Sequence, residues 1–153
     1  MIIIGEKING AIPSVGEAIK KRDREFIANL VKLQVEAGVD YLDVCAGTST
    51  DEELEALTWL INVVQEETDC PLCVDSPDPH ILKSVLPLCK KPGLINSVSG
   101  EGDKCDVIFP VMQGTEWSVI ALTCDNDGIP MDTDKKVQIA VSIVEKAAAY
   151  NIT

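Results

Sequence analysis

Two short apolar runs each end in a side chain able to make directed hydrogen bonds. Leu72-Cys73-Val74 runs into Asp75 and Ser76, and Leu94-Ile95 runs into Asn96 and Ser97. A carboxylate beside a carboxamide suits a flat heterocycle whose edge carries both donors and acceptors. In parallel α/β architectures, polar groups at one end of buried strands sit where ligands bind, because strand termini and the following loops form a crevice on a rigid base. A strand-end Asp or Asn taken alone is more often a cap for the next helix. For Asp75, however, Ser76 and Asp78 supply alternative caps.

The elements that must position these residues alternate strand and helix with no linker or low-complexity stretch. Strands are expected at Ile2 to Ile4, Tyr41 to Val44, Leu72 to Val74, Gly93 to Ile95 and Ser118 to Leu122. Their apolar runs are short and continuous, as in strands covered on both faces. Helices are expected at Asp23 to Ala37, Asp51 to Thr68, Asp78 to Leu88, Asp103 to Gln113 and Asp132 to Tyr150. The first carries Phe26, Ile27, Leu30, Val31 and Leu33 at helical spacing, the second Leu54, Leu57, Leu60, Ile61 and Val64, and the last Val137, Ile139, Ala140, Ile143 and Val144. Such alternation implies βαβ units and a parallel sheet. Length favours a doubly wound sheet of five strands, since an eight-stranded barrel typically needs about 250 residues. Against this, no Gly-rich nucleotide-binding sequence follows the first strand, and the chain stops just after a helix, as a truncated barrel would.

Composition narrows the function classes. The chain has 153 residues, is 46% hydrophobic and carries a net charge of -12 from 25 acidic and 13 basic residues. A nucleic-acid surface would need a basic patch, so nucleic acid is not expected as a partner. The apolar runs fall far short of the roughly 20 residues that span a bilayer, and MIIIGEK lacks the features of a signal peptide, so a cytoplasmic protein without membrane contact is expected. The six cysteines are scattered, and only one histidine, His80, accompanies them. Structural, reduced thiols are expected, with no bound metal, despite the CxxC spacing of Cys70 and Cys73. Asp125-Asn126-Asp127-Gly128 lacks the remaining ligands of a calcium loop and is expected to be a solvated turn. His80 is expected at the surface, and Trp59 and Trp117 as packing groups.

Five motifs occur in order after the five strands: Gly5-Glu6-Lys7-Ile8-Asn9-Gly10, Leu42-Asp43-Val44-Cys45-Ala46-Gly47, Val74-Asp75-Ser76, Ile95-Asn96-Ser97, and Leu122-Thr123 with Gly128-Ile129-Pro130. Together they resemble the methyltetrahydrofolate-dependent methyltransferases that exchange methyl groups with corrinoid proteins, members of the pterin-binding α/β barrels. The resemblance covers nearly all of the chain. It implies that residues 1–153 are the N-terminal five βα units of a pterin-binding (β/α)8 TIM barrel, expected to be truncated. It also implies a pterin site in which Asp75 and Asn96 hydrogen-bond the ring while Glu6, Asn9 and Asp43 shape the floor and rim. Asn9-Gly10 is equally a standard turn sequence, and Asp43 could instead brace the adjacent loop.

The implied chemistry moves a methyl group between N5 of methyltetrahydrofolate and the cobalt of a corrinoid (cobalamin) carried by a partner protein. N5 must gain positive character to leave, and cobalt is the nucleophile, so no protein nucleophile is required. Much of the family has Asn in place of Cys45. The sixth-strand motif and a later Asn near N5 would lie beyond Thr153, so no catalytic residue is assigned here. A five-unit fragment is expected to self-associate and to transfer methyl groups poorly. The alternatives are a dihydropteroate synthase-like enzyme, which shares the barrel and pterin site, and a non-catalytic half-barrel binding module.

Overall fold

The computed structural model describes residues 1–153. Strands β1 (Ile4–Asn9), β2 (Tyr41–Cys45), β3 (Leu72–Asp75), β4 (Leu94–Gly100) and β5 (Ser118–Asp125) form one parallel sheet in the order β1-β2-β3-β4-β5. Helices α1 (Pro13–Lys21) and α2 (Arg24–Glu36) join β1 to β2, and α3 (Thr50–Glu67) joins β2 to β3. Then come α4 (Pro79–Val85), with a turn of 3-10 helix at Leu86–Leu88, α5 (Lys104–Met112), and α6 (Thr133–Ala148) after β5. A doubly wound sheet reverses its strand order at a switch point, whereas this order is strictly sequential. Strand order therefore overrides the argument from length, and the architecture is that of consecutive βα units of a TIM barrel. No helix is long and apolar enough to cross a membrane.

Right-handed crossovers that always step in one direction leave every helix on the same face of the sheet. That face is apolar because strand side chains alternate. Ile8, Leu42, Val44, Val74 and Ile95 are all fully buried and belong to a 29-residue core. Helix α2 adds Ile27 and Val31, α3 adds Ala56, Leu57, Leu60, Ile61 and Val64, and α5 adds Ile108 and Phe109. Asp23, Asp78 and Asp132 cap α2, α4 and α6 by accepting hydrogen bonds from first-turn amides, as Asp residues before helical runs should.

The sequence reading departs from the structure at several points. Strand β1 starts at Ile4, not Ile2, so the motif Glu6 to Asn9 lies within the strand; Ile2 and Ile3 are exposed. Strands β4 and β5 run on to Gly100 and Asp125. Helix α1 lies where the sequence reading places no element, between the first strand and the helix expected from Asp23. Pro13 occupies the first turn, where its missing N–H costs nothing, and a Cβ on Gly16 would lie 2.6 Å from the Gly10 carbonyl oxygen. Leu33 and Leu54 are exposed, and so are Val137 and Val144 of α6, which with Val141 form a second apolar stripe beside the buried Ile139 and Ile143. Only one stripe faces the sheet. Strand β5 is not covered on both faces either, since Ala121 and Leu122 are exposed.

Candidate functional site

The face of the sheet opposite the helices carries the polar residues, and strand register assembles them. Asp43 lies opposite Cys73, Cys45 opposite Asp75, and Asp75 opposite Asn96. Asn9 is registered with Cys45 on the other side. Residues paired across parallel strands share a face, so Asp43, Cys45, Cys73, Asp75 and Asn96 form one polar patch across β2, β3 and β4. Asn96 is the third residue of β4 and not its end, yet it stands beside the last residue of β3.

Strand β1 contributes through an irregularity. Its register with β2 shifts between Gly5 and Ile8, and the buried Gln34 of α2 anchors that shift. The Gln34 Oε1 accepts from the Lys7 amide at 2.9 Å while its Nε2 donates to the Leu30 carbonyl at 3.3 Å. A bulge re-aims side chains, and the exposed Glu6 thereby bears electrostatically on both Asp43 and Asp75. Asn9 serves the turn, its Oδ1 accepting from the Ala11 amide at 2.9 Å. Beyond it the backbones after β1 and β2 touch. The Gly10 amide donates to the Cys45 carbonyl at 3.0 Å, and a Cβ on Gly10 would lie 1.8 Å from the Ala46 oxygen. Only glycine fits there.

Asp43 is the deepest of the carboxylates, at 2% exposure. It braces side chains of the site, not the adjacent loop. Asn96 Nδ2 donates to Asp43 Oδ1 at 3.3 Å, and Cys73 lies opposite Asp43 on the neighbouring strand. Burial pushes the Asp43 carboxyl up to about 6, opposed by the neighbouring Cys73 thiol and the Asn96 amide and raised further by the charges of Asp75 and Glu6. Asp75 is pushed up by burial and by Glu6 and is held down by the Cys45 thiol. With Nδ2 committed to Asp43, Asn96 keeps its carbonyl oxygen as a free acceptor. The patch therefore offers carboxylate and amide acceptors to a ligand rich in N–H groups.

Cys45 and Cys73 were read as structural thiols, and register shows them to be members of this patch. Each lies two residues from a site carboxylate on its own strand, Cys45 after Asp43 and Cys73 before Asp75, and that parity was the available signal. All six cysteines are free thiols, with Cys73 and Cys105 buried. Behind the patch, Ser76 Oγ donates to the buried Glu53 of α3 at 2.5 Å and accepts from the Asp78 amide at 3.1 Å, fixing the chain as it leaves β3. No group of three His, Cys, Asp or Glu side chains is arranged to hold a metal ion. His80 is exposed, its Nε2 3.6 Å from Asp103 Oδ2. Asp125 and Gly128 close a turn with mutual amide hydrogen bonds, and Lys135 Nζ lies 2.7 Å from Asp125 Oδ2. Trp59 and Trp117 pack half-buried against the core.

The family model of pterin binding enzymes matches residues 6–151. A methylcorrinoid:tetrahydrofolate methyltransferase from Eubacterium limosum is 55% identical over 155 residues, covering all of this chain and 57% of that protein. Methionine synthases from Mycobacterium leprae and Mycobacterium tuberculosis are each 26% identical over 94% of this chain, which spans 12% and 13% of their lengths. The chain thus spans little more than half of the Eubacterium limosum protein and about an eighth of the methionine synthases.

Proposed function

The chain belongs to the family of pterin binding enzymes, and from that premise we propose that it serves a cytoplasmic methyl transfer between N5 of methyltetrahydrofolate and the cobalt of a corrinoid protein. The observation that carries this reading is the registered pair Asp75 and Asn96 on the polar face. The 2-amino-pyrimidinone edge of a pterin presents N–H donors next to ring acceptors. Asp75 accepts from the donors, and Asn96, held by Asp43, turns its carbonyl oxygen toward the same edge. Asp43 lies below as a brace. Glu6 and Asn9 close the β1 side, with Asn9 also committed to its turn. The corrinoid cobalt, brought by the partner, supplies the nucleophile or the methyl group.

Residues 1–153 act in this reading as five βα units that supply one wall of the site. The outer edges of β1 and β5 have no strand neighbour, and Val137, Val141 and Val144 of α6 are exposed. These features favour self-association of the isolated chain, which sedimentation velocity reads directly.

The decisive experiment titrates methyltetrahydrofolate against the chain and against Asp75→Ala and Asn96→Ala, with methyl transfer to a corrinoid protein followed in parallel by cobalt absorbance. Each variant is expected to weaken binding by roughly tenfold to a hundredfold, the cost of one lost buried partner. Unchanged affinity in two folded variants would remove the pterin from this face.

A further inference from the structure

We propose that Glu53 of α3 is a positioning residue of the site, which acts through the Ser76 hydroxyl to hold the end of β3 against β4 and so sets how Asp75 and Asn96 are presented together. This rests on reading the polar face as a folate site. Ser76 is where the two site strands are joined. It follows Asp75 directly, and its amide donates to the Asn96 carbonyl at 3.1 Å, at the C-terminal limit of the β3–β4 ladder. Past Asn96 the regular pairing of β4 stops on both sides, since β3 has ended and the ladder with β5 shifts register between Asn96 and Val98. The bond to Ser76 therefore closes the regular part of both strands at the two residues that would meet the ligand.

The Ser76 side chain is held from the helix side. Ser76 and Glu53 are both buried, at 2% and 5% exposure. A hydroxyl has a single proton to donate. Glu53 Oε1 at 2.5 Å receives it in preference to the Asp78 carbonyl at 3.4 Å, while the same hydroxyl oxygen accepts from the Asp78 amide at 3.1 Å. Without Glu53 the hydroxyl is free to turn to the Asp78 carbonyl, which leaves the Ser76 side chain tied only within its own loop. Glu53 thus bears on the site through Ser76 and not through contact with a ligand.

Stability alone does not account for Glu53. A buried carboxylate is costly unless a charge is paired with it, and no lysine, arginine or histidine pairs with this one. The first turn of α3 does suit a negative charge, because Ser49 gives its leading amides no side-chain cap. Asp51 and Glu52, however, supply charge in that same turn from exposed positions. What Glu53 adds to them is an acceptor aimed at the end of β3.

One pair of substitutions separates the two roles. Glutamine keeps the acceptor oxygen and loses the charge, whereas alanine loses both. If Glu53 serves only the helix, Glu53→Gln and Glu53→Ala should destabilise alike and leave the affinity of the folded protein untouched. If it positions Ser76, affinity follows the acceptor and not the charge.

In methyltetrahydrofolate titrations of the 153-residue chain, Glu53→Ala and Ser76→Ala are expected to bind about threefold to tenfold more weakly, with Glu53→Gln within about twofold of the parent. The double alanine variant should match the weaker single one, since both changes break the same link. Ser76→Ala, which cuts that link from the other end, decides the matter if Glu53→Ala fails to fold. Parent affinity in the folded alanine variants, or an equal loss with glutamine and alanine at Glu53, would overturn the proposal. Nitrogen-15 NMR without ligand gives a readout independent of folate. The Ser76 backbone amide and the Asn96 side-chain amide should move in Glu53→Ala and return in Glu53→Gln, and resonances that stay in place would equally overturn it. Asp75→Ala serves as the separate control: retained folate affinity there would sink the folate reading, while the ligand-free spectra would still decide whether Glu53 positions the pair.

Discussion

The two faces of the sheet are built from the same strands by opposite rules. On the helix side, Ile8, Leu42, Val44, Val74 and Ile95 are fully buried among aliphatic neighbours. On the other side, the same strands present Asp43, Cys45, Cys73, Asp75 and Asn96, in which an acid buried to 2% exposure is held by the Asn96 amide. The first face lowers the free energy of the fold in proportion to the apolar area it removes from water. The second raises it, since buried carboxyls must be desolvated with no cation beside them. Alternation along a strand lets one element do both, and a ligand rich in N–H groups is what would offset the strain on the polar side.

The comparison breaks most visibly if the helix side is cut. Leu42→Ala is expected to cost about 2–5 kcal/mol in urea denaturation, with folate affinity of the folded fraction unchanged. A large loss of affinity without loss of stability would show that the two faces are not separable. The second test concerns Asp43. Its carboxyl titrates near 6 when folded, against 3.8 for the ordinary group. The folded state therefore holds this proton more tightly than the unfolded chain. The associated stability is fully present below pH 3.8 and is lost as pH rises toward 6. Denaturation across that range should show Asp43→Asn gaining on the parent as pH rises, by on the order of 2–3 kcal/mol at neutrality. A constant gap would mean that Asp43 is not the titrating group.

Smaller effects sharpen the contrast. Asp75→Ala should be close to neutral or mildly stabilising in denaturation, while costing roughly 1–3 kcal/mol in methyltetrahydrofolate binding by calorimetry. Destabilisation with no binding loss would move Asp75 to the structural side. The outer surface gives the baseline. Lys146 Nζ, 3.0 Å from Asp106 Oδ2, pairs α6 with α5 in the open, and Lys146→Ala should change stability by less than about 1 kcal/mol and less still in high salt.

Much of this was legible in residue order. Apolar runs and caps located the strands and most helices, and Asp75 and Asn96 stood out because polar side chains ended apolar runs. Three features were not legible, each because the deciding information lies between elements. Helix α1 has no place in the sequence reading because what fits it there is a contact with another segment, Gly16 lacking the Cβ that would meet the Gly10 carbonyl. The role of Asp43 was undecided because nothing local shows that Asn96, 53 positions away, is its partner. Cys45 and Cys73 are grouped with the other cysteines by their scatter and the single histidine, whereas period-two counting from Asp43 and Asp75 places them on the polar face.

The backbone contact between Gly10 and Ala46 divides the mouth of the site into a fixed jaw and an adaptable one. No side chain larger than hydrogen fits at Gly10, and a Cβ on Gly47 would lie 2.7 Å from the Ala11 nitrogen, so the loops after β1 and β2 are fused into a single seam. On the opposite flank the turn after β5 carries Ile129 and Met131 at 79% and 96% exposure, free of such a seam. Change in what this fold accommodates must therefore enter from the β5 side, where insertions and substitutions meet solvent. The β1–β2 side sets a fixed reference position for whatever is held.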